Sequence, residues 1–374
     1  MKHIEKLLKQ ESSSKSITHQ VPDKVIVGSD AYWALESTQE SLRRDVASAR
    51  KHILQTLERL RERDGQNSKD HGFFYTRAVI VFMPGSLSKQ YAREFRALFL
   101  SWVRVRQEQR KGFKTDLVVV TPEENLKRLS DLGCTTEVRN NSAQNEGCVI
   151  SLYTPLLQRK VPDGVAFDPL TKYKVIDSML CLAEYVGYEY DAVMRCDLDT
   201  FLMPGFADWT PPSQETLVVG RGGYGSKNAL AHLKYVSQSL GLDTKDGLIN
   251  LGSTWFGDTG LMVATARLTI AVMRWMHIQE FSTYERCCSG VLSWTHWHWP
   301  VLLLYGGHVA LNQVGSMSSV AVSNDTNGRM DFFSTSNISI SDRSIKECSN
   351  QSSILEFIIL HITGCPSRLR TFVE

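Results

Sequence analysis

Two unbroken apolar runs, residues 78–83 (AVIVFM) and 117–120 (LVVV), constrain the fold of this chain most. Both have strand length, and neither alternates apolar with polar residues, so each needs apolar cover on both faces of a sheet. Between them Tyr91, Phe95, Leu98, Trp102 and Val105 share one face of a helix. A second helix is expected over 124–132, stopped by Gly133, and a short strand over 135–138. Strand, helix, strand, helix, strand with solid apolar strands argues an α/β fold, a mostly parallel central sheet flanked by helices.

The same rhythm returns later with polar residues at its tip. Val175, Ile176, Met179, Leu180, Leu182, Ala183 and Val186 form an apolar helical stripe, and Gly187 is a helix stop. A short apolar strand follows, 190–196, and then Asp197-Leu198-Asp199-Thr200. On an extended backbone residues two apart project the same way. Two hard oxygen donors facing one point suit Mg²⁺ or Mn²⁺, whose other ligands are commonly substrate phosphates. Acidic pairs at strand ends also arise as solvated turns. The placement favours a site, because open α/β sheets bind ligands beyond the carboxyl ends of their strands.

Charge and motifs exclude several alternatives. A net charge of +2 gives no support for a nucleic-acid partner. No apolar stretch is expected to reach the roughly 20 residues of a membrane span, and the polar residues 1–21 do not read as a signal peptide. The eight cysteines lack C-x-x-C spacing, so free thiols in the cytoplasm are expected. On that reading the sequons at Asn140, Asn324, Asn337 and Asn350 are fortuitous. No G-x-G-x-x-G follows the first strand and no Walker sequence occurs, which disfavours dinucleotide-binding and P-loop enzymes. The Gly-rich run 220–225 (GRGGYG) lies on no evident strand-to-helix turn and is expected to be a loop over the site.

An amphipathic helix carrying Leu42, Val46, Ala49, Ile53, Leu57 and Leu60 should end near Asp64-Gly65 and pack on the outside of the main domain. The expected division is 1–72, a polar segment with this helix, and 73–374, one catalytic domain with halves at 73–209 and 210–374. In the second half, residues 250–258 (NLGSTWFGD) lead to a helix through Met276. Trp294, Trp297 and Trp299 alternate with His296 and His298, and a Ser- and Asn-rich excursion spans 323–353. These tryptophans either offer a platform for a sugar face or pack internally. Zinc at His296, His298 and Cys287-Cys288 is disfavoured by the adjacent cysteines.

From Asp197 to Asp199 the chain resembles the GT-A class of nucleotide-sugar glycosyltransferases, in which a Rossmann-like half binds the nucleotide and a D-x-D holds a divalent metal on the diphosphate. His361-Ile362-Thr363-Gly364 is similar to the H-x-x-G of the glycogenin-like family 8, where the histidine completes the metal site. The K-P-W that follows there is replaced by Cys365-Pro366-Ser367-Arg368. Residues 173–209 and NLGSTWFG also resemble an uncharacterised group of D-x-D domains. The resemblance implies a GT-A-like fold and an enzyme that moves a sugar from a UDP- or GDP-sugar to a glycan, protein or small-molecule acceptor, with Mn²⁺ or Mg²⁺. It implies Asp197, Asp199 and His361 as metal ligands. Donor-binding candidates are Val81, Phe82, Lys174, Arg195, Asp197 and Arg368; Arg195 either contacts phosphate or pairs with Asp197. Acceptor-binding candidates are Trp255, Trp294 and Trp297. Asp258 and Asp246 are candidates for the base that an inverting reaction needs.

Two other classes compete. A non-catalytic binding descendant of the fold is one. A two-aspartate phosphohydrolase is the other, but its D-x-D-x-T pattern fails because Phe201 stands where the threonine should be.

Overall fold

The structure, a computed structural model, describes residues 30–66, 75–85, 89–136, 147–160, 168–185, 190–281, 286, 297–322 and 360–361. The chain divides into two units, Met1–Leu42 and Arg43–Glu374. Helix α1, Asp30–Gln66, begins in the first and continues into the second. In the second unit Val46, Ile53, Leu57 and Leu60 are buried, as the apolar stripe requires.

The strands are β1 (Tyr75–Phe82), β2 (Phe113–Thr121), β3 (Cys148–Leu152), β4 (Ala192–Cys196), β5 (Thr200–Phe201), β6 (Thr216–Arg221), β7 (Leu251–Asp258), β8 (Ser319–Val322) and β9 (Leu360–His361). Seven of them form one sheet in the order β3-β2-β1-β4-β7-β6-β8, and β5 pairs with β9. β1, β2, β3 and β4 run parallel, and β7 is antiparallel to both of its neighbours. β8 runs parallel to β6. The chain steps outward from β1 to β2 and β3, then returns to the other side of β1 as β4. That reversal makes a topological switch point at the carboxyl ends of β1 and β4.

The helices cover both faces. α2 (Lys89–Glu108) buries Phe95, Leu98, Trp102 and Val105 against Val79 and Val81 of β1, Met83 just beyond it, and Met194 and Cys196 of β4. A short helix, α3 (Leu126–Asp131), precedes Gly133, whose φ of 88° is the left-handed stop expected there. Three longer helices pack side by side elsewhere: α4 (Asp177–Tyr185), α6 (Thr259–Gln279) and α7 (Leu302–Met317), with α5 (Lys227–Ser239) against α7.

Several expectations need correction. The third strand is Cys148–Leu152, and Thr135 contributes only an isolated bridge to Val149. A disulfide joins Cys134 to Cys148, so the expectation of free thiols fails for this pair. Cys181 and Cys196 are free and buried. The Gly-rich run starts at the end of β6 and leads to Ser226, the N-cap of α5, so it does occupy a strand-to-helix turn. α6 is long and apolar enough to span a bilayer, contrary to expectation, but 83% of its apolar window is buried inside the protein. The excursion over 323–353 lies outside the described residues.

Candidate functional site

β4 alternates Val193 and Arg195 with Met194 and Cys196, which face the α2 core. The strand ends at Cys196, and Asp197-Leu198-Asp199-Thr200 is a turn closed by Thr200 N–H on the Asp197 carbonyl at 3.2 Å. The acidic pair therefore sits on a turn rather than on extended backbone. Leu198 inserts into the α2 core and anchors the turn, while Asp197 and Asp199 stay partly exposed on either side of it. Beyond the last paired residues, Val81 and Cys196, the next residues on the two strands are Phe82 and Asp197. Both stand at the mouth of the switch point.

Arg195 and Ser253 both hold Asp197. Arg195 Nη2 lies 2.9 Å from Oδ1, and Ser253 Oγ donates to Oδ2 at 2.6 Å. Arg195 is 1% exposed; its Nη1 donates to the Ser253 carbonyl and its Nη2 to Ser178 Oγ at 2.9 Å. Between the two readings of Arg195, the structure shows the pairing with Asp197; its guanidinium lies beneath the carboxylate, not open to a donor. Ser253 reaches the site because β7 runs antiparallel to β4, with Trp255 opposite Arg195.

A second hydrogen-bonded group lines the same end of the sheet. Tyr153, just beyond β3, donates from its hydroxyl to Asp177 Oδ1 at 2.6 Å, and Leu156 N–H donates to the same oxygen at 2.9 Å. Burial and the Asp177 carboxylate push the Tyr153 hydroxyl well above its ordinary pKa. Phe82 meets the Tyr153 ring edge-on at 5.7 Å between centroids. Lys174 is exposed in the turn that leads into α4, next to the buried Tyr173.

The remaining candidates distribute unevenly. Val81 is 1% exposed and faces the α2 core, so its side chain is not a donor contact. Asp258 pairs in register with Ala192, at the amino end of β4, roughly 17 Å along the strand from Asp197. Its side chain accepts from Leu261 N–H at 3.0 Å as the N-cap of α6. Burial raises its pKa, but it is a helix cap and not a base for this site. Asp246 is exposed in a turn whose neighbours Lys245 and Leu248 lie against Gly315, near the helix end that feeds the amino end of β8. It too is remote from the D-x-D turn.

Trp255 is 2% exposed, donates from Nε1 to the Gly252 carbonyl at 2.8 Å, and packs where Gly307 leaves room. Trp297 stacks on Tyr305 at 4.5 Å and on Phe281 at 5.3 Å. Both are packing residues in place of the expected acceptor platform. Trp299 is likewise engaged, donating to His277 Nδ1 at 3.1 Å. Trp294 and Arg368 lie outside the described residues, as do His296, Cys287 and Cys288. For His361 the backbone is described: it pairs with Thr200, the residue after Asp199. Leu360–His361 thus lies beside the acidic turn.

Sequence reasoning missed Ser253, Ser178 and Tyr153. No local pattern marks them; strand pairing and the approach of α4 to β4 bring them in from 56, 17 and 24 residues away from their partners.

The arrangement defines an α/β protein with a doubly wound sheet and an acidic turn at its switch point. The chain belongs to the DUF7164 family, a domain of unknown function, whose model matches residues 72–348. No curated protein matches it. Among solved structures it is similar to mouse xyloside xylosyltransferase 1 in its apo form, at 9% identity and a TM-score of 0.39, covering 78% of this chain and 100% of that one. It is also similar to the glycosyltransferase GlyE of Streptococcus pneumoniae TIGR4, at 12% identity and a TM-score of 0.35, covering 80% of this chain and 59% of that one.

Proposed function

We propose that this protein is a metal-dependent glycosyltransferase that moves a sugar from a nucleoside-diphosphate sugar to an acceptor. The observation that carries the reading is the Asp197–Asp199 turn at the mouth of the β1/β4 switch point, with Asp197 anchored by Arg195 and Ser253. Ligands of open α/β sheets bind at this position, and two partly exposed carboxylates there would repel a bare diphosphate.

The donor chemistry fits a hard divalent cation. Asp197 and Asp199 supply carboxylate oxygens, each able to accept more than one partner. Among the described residues no cluster of three metal-ligating side chains occurs. His361, whose backbone pairs with Thr200 beside the turn, is the further residue that would hold the cation in this reading, and phosphate oxygens would supply other ligands. Bound there, Mn²⁺ or Mg²⁺ supplies charge that offsets what develops on the departing nucleoside diphosphate. The protein's own part is to orient: Arg195 and Ser253 hold Asp197, and Phe82 with Tyr153 walls the adjacent end of β1. Lys174, exposed before α4 at the same end, is a candidate cation for a phosphate.

A screen of nucleotide sugars with Mn²⁺ tests the proposal. Release of UDP or GDP from at least one donor, abolished in Asp199→Ala, is expected. Silence from every donor would favour a binding module instead.

A further inference from the structure

We propose that Arg195 is a positioning residue that, with Ser253, fixes the Asp197 carboxylate for metal–diphosphate binding; this rests on the reading of the acidic turn given above. Three elements converge on the Arg195–Asp197 pair. Arg195 comes from β4, Ser253 from β7, and Ser178 from the first turn of α4. Ser253 acts twice: its hydroxyl donates to Asp197 Oδ2 at 2.6 Å, and its carbonyl accepts from Arg195 Nη1. Arg195 closes the ring with 2.9 Å to Asp197 Oδ1 and 2.9 Å to Ser178 Oγ.

The energetics argue against a purely stabilising ion pair. Arg195 is 1% exposed, so its charge is taken out of water at a cost that a pair of apolar side chains would avoid. Its Nε is buried with no hydrogen-bond partner, a further cost. The return is geometric. Both Asp197 oxygens accept from the protein, Oδ1 from Arg195 and Oδ2 from Ser253, while 38% of the side chain remains exposed. Donors in this position set the orientation of a metal-binding carboxylate, and their loss weakens metal affinity about 10- to 100-fold.

The test measures free Mn²⁺ by electron paramagnetic resonance during titration in the presence of UDP, and separately of GDP. It uses the wild type, Ser253→Ala, Asp197→Asn, the double variant, Arg195→Lys and Asp199→Ala. Melting temperatures are recorded alongside. Ser253→Ala keeps the carbonyl that holds Arg195 and removes only the hydroxyl, so it decides the matter even where Arg195→Lys fails to fold. The expected result is a fall in Mn²⁺–nucleotide affinity of about 10- to 100-fold for Ser253→Ala. In the Asp197→Asn background the same change should have no further effect, because the hydroxyl acts through that carboxylate. Ser253→Ala with a lowered melting temperature but wild-type affinity would overturn the positioning role. Equal Mn²⁺ binding by the wild type and Asp199→Ala would overturn the reading of the turn, and the positioning role with it.

Discussion

His308 shows how single side chains brace the walls around the acidic turn. It is buried in α7, and its Nδ1 lies 3.1 Å from the Tyr224 hydroxyl, which in turn accepts from Leu251 N–H at 3.0 Å. We assign the hydroxyl proton to Nδ1, since burial lowers the His308 pKa to about 4 and keeps the ring neutral. The contact joins α7 to the start of β7, two residues before Ser253. Because the folded value lies below the ordinary 6.5, the unfolded chain takes up the proton first as pH falls. Stability is therefore complete above about pH 6.5 and declines toward pH 4, by up to about 3 kcal/mol from this residue. Urea unfolding at pH 7 and pH 4.5 should show a smaller loss in His308→Gln than in the wild type. Parallel losses in the two proteins would contradict the assignment.

Whole elements carry the aromatic and glycine-rich segments whose local sequence looked functional. Trp297 spends its ring on Tyr305 and Phe281, with His232 at 4.8 Å as a third neighbour. Trp297→Ala should cost roughly 3 kcal/mol of stability, and donor hydrolysis and acceptor transfer should fall together with it. A selective loss of transfer at unchanged melting temperature would restore the platform reading. The glycine-rich run is tied to β7: Gly225 N–H donates to Asn250 Oδ1 at 2.6 Å, and a Cβ at Gly222 would meet the Leu251 carbonyl at 2.8 Å. Solid apolar runs such as AVIVFM and LVVV were legible as buried parallel strands, because burial on both faces leaves that mark on a short stretch of chain. The run TLVVGR of β6 and the antiparallel β7 were not read as strands. Glycines and polar residues interrupt β7, and what makes it a strand is pairing to β4 and β6 from distant parts of the chain. For the same reason Asp197 and Asp199 could be picked from sequence while Ser253 could not. Asp258 looked catalytic from its residue type; only the register of β7 against β4 shows that it lies at the other end of the sheet.

At the scale of the molecule, the strand order of a seven-stranded sheet reverses between the parallel neighbours β1 and β4, and the acidic turn lies at that reversal. The Cys134–Cys148 disulfide closes the edge of the sheet beside β3, within the α2-side core. The C-terminal pairing of His361 with Thr200 returns the chain to the acidic turn from 161 residues away. The central claim is that Asp197 and Asp199 bind a nucleoside diphosphate through a divalent cation. Calorimetry of UDP and GDP binding, with Mn²⁺ and with a chelator, in the wild type and Asp199→Ala tests it most directly. Binding of at least one nucleotide that requires Mn²⁺ and is lost in Asp199→Ala is the expected result. Binding that persists in the chelator and is equal in both proteins would contradict it.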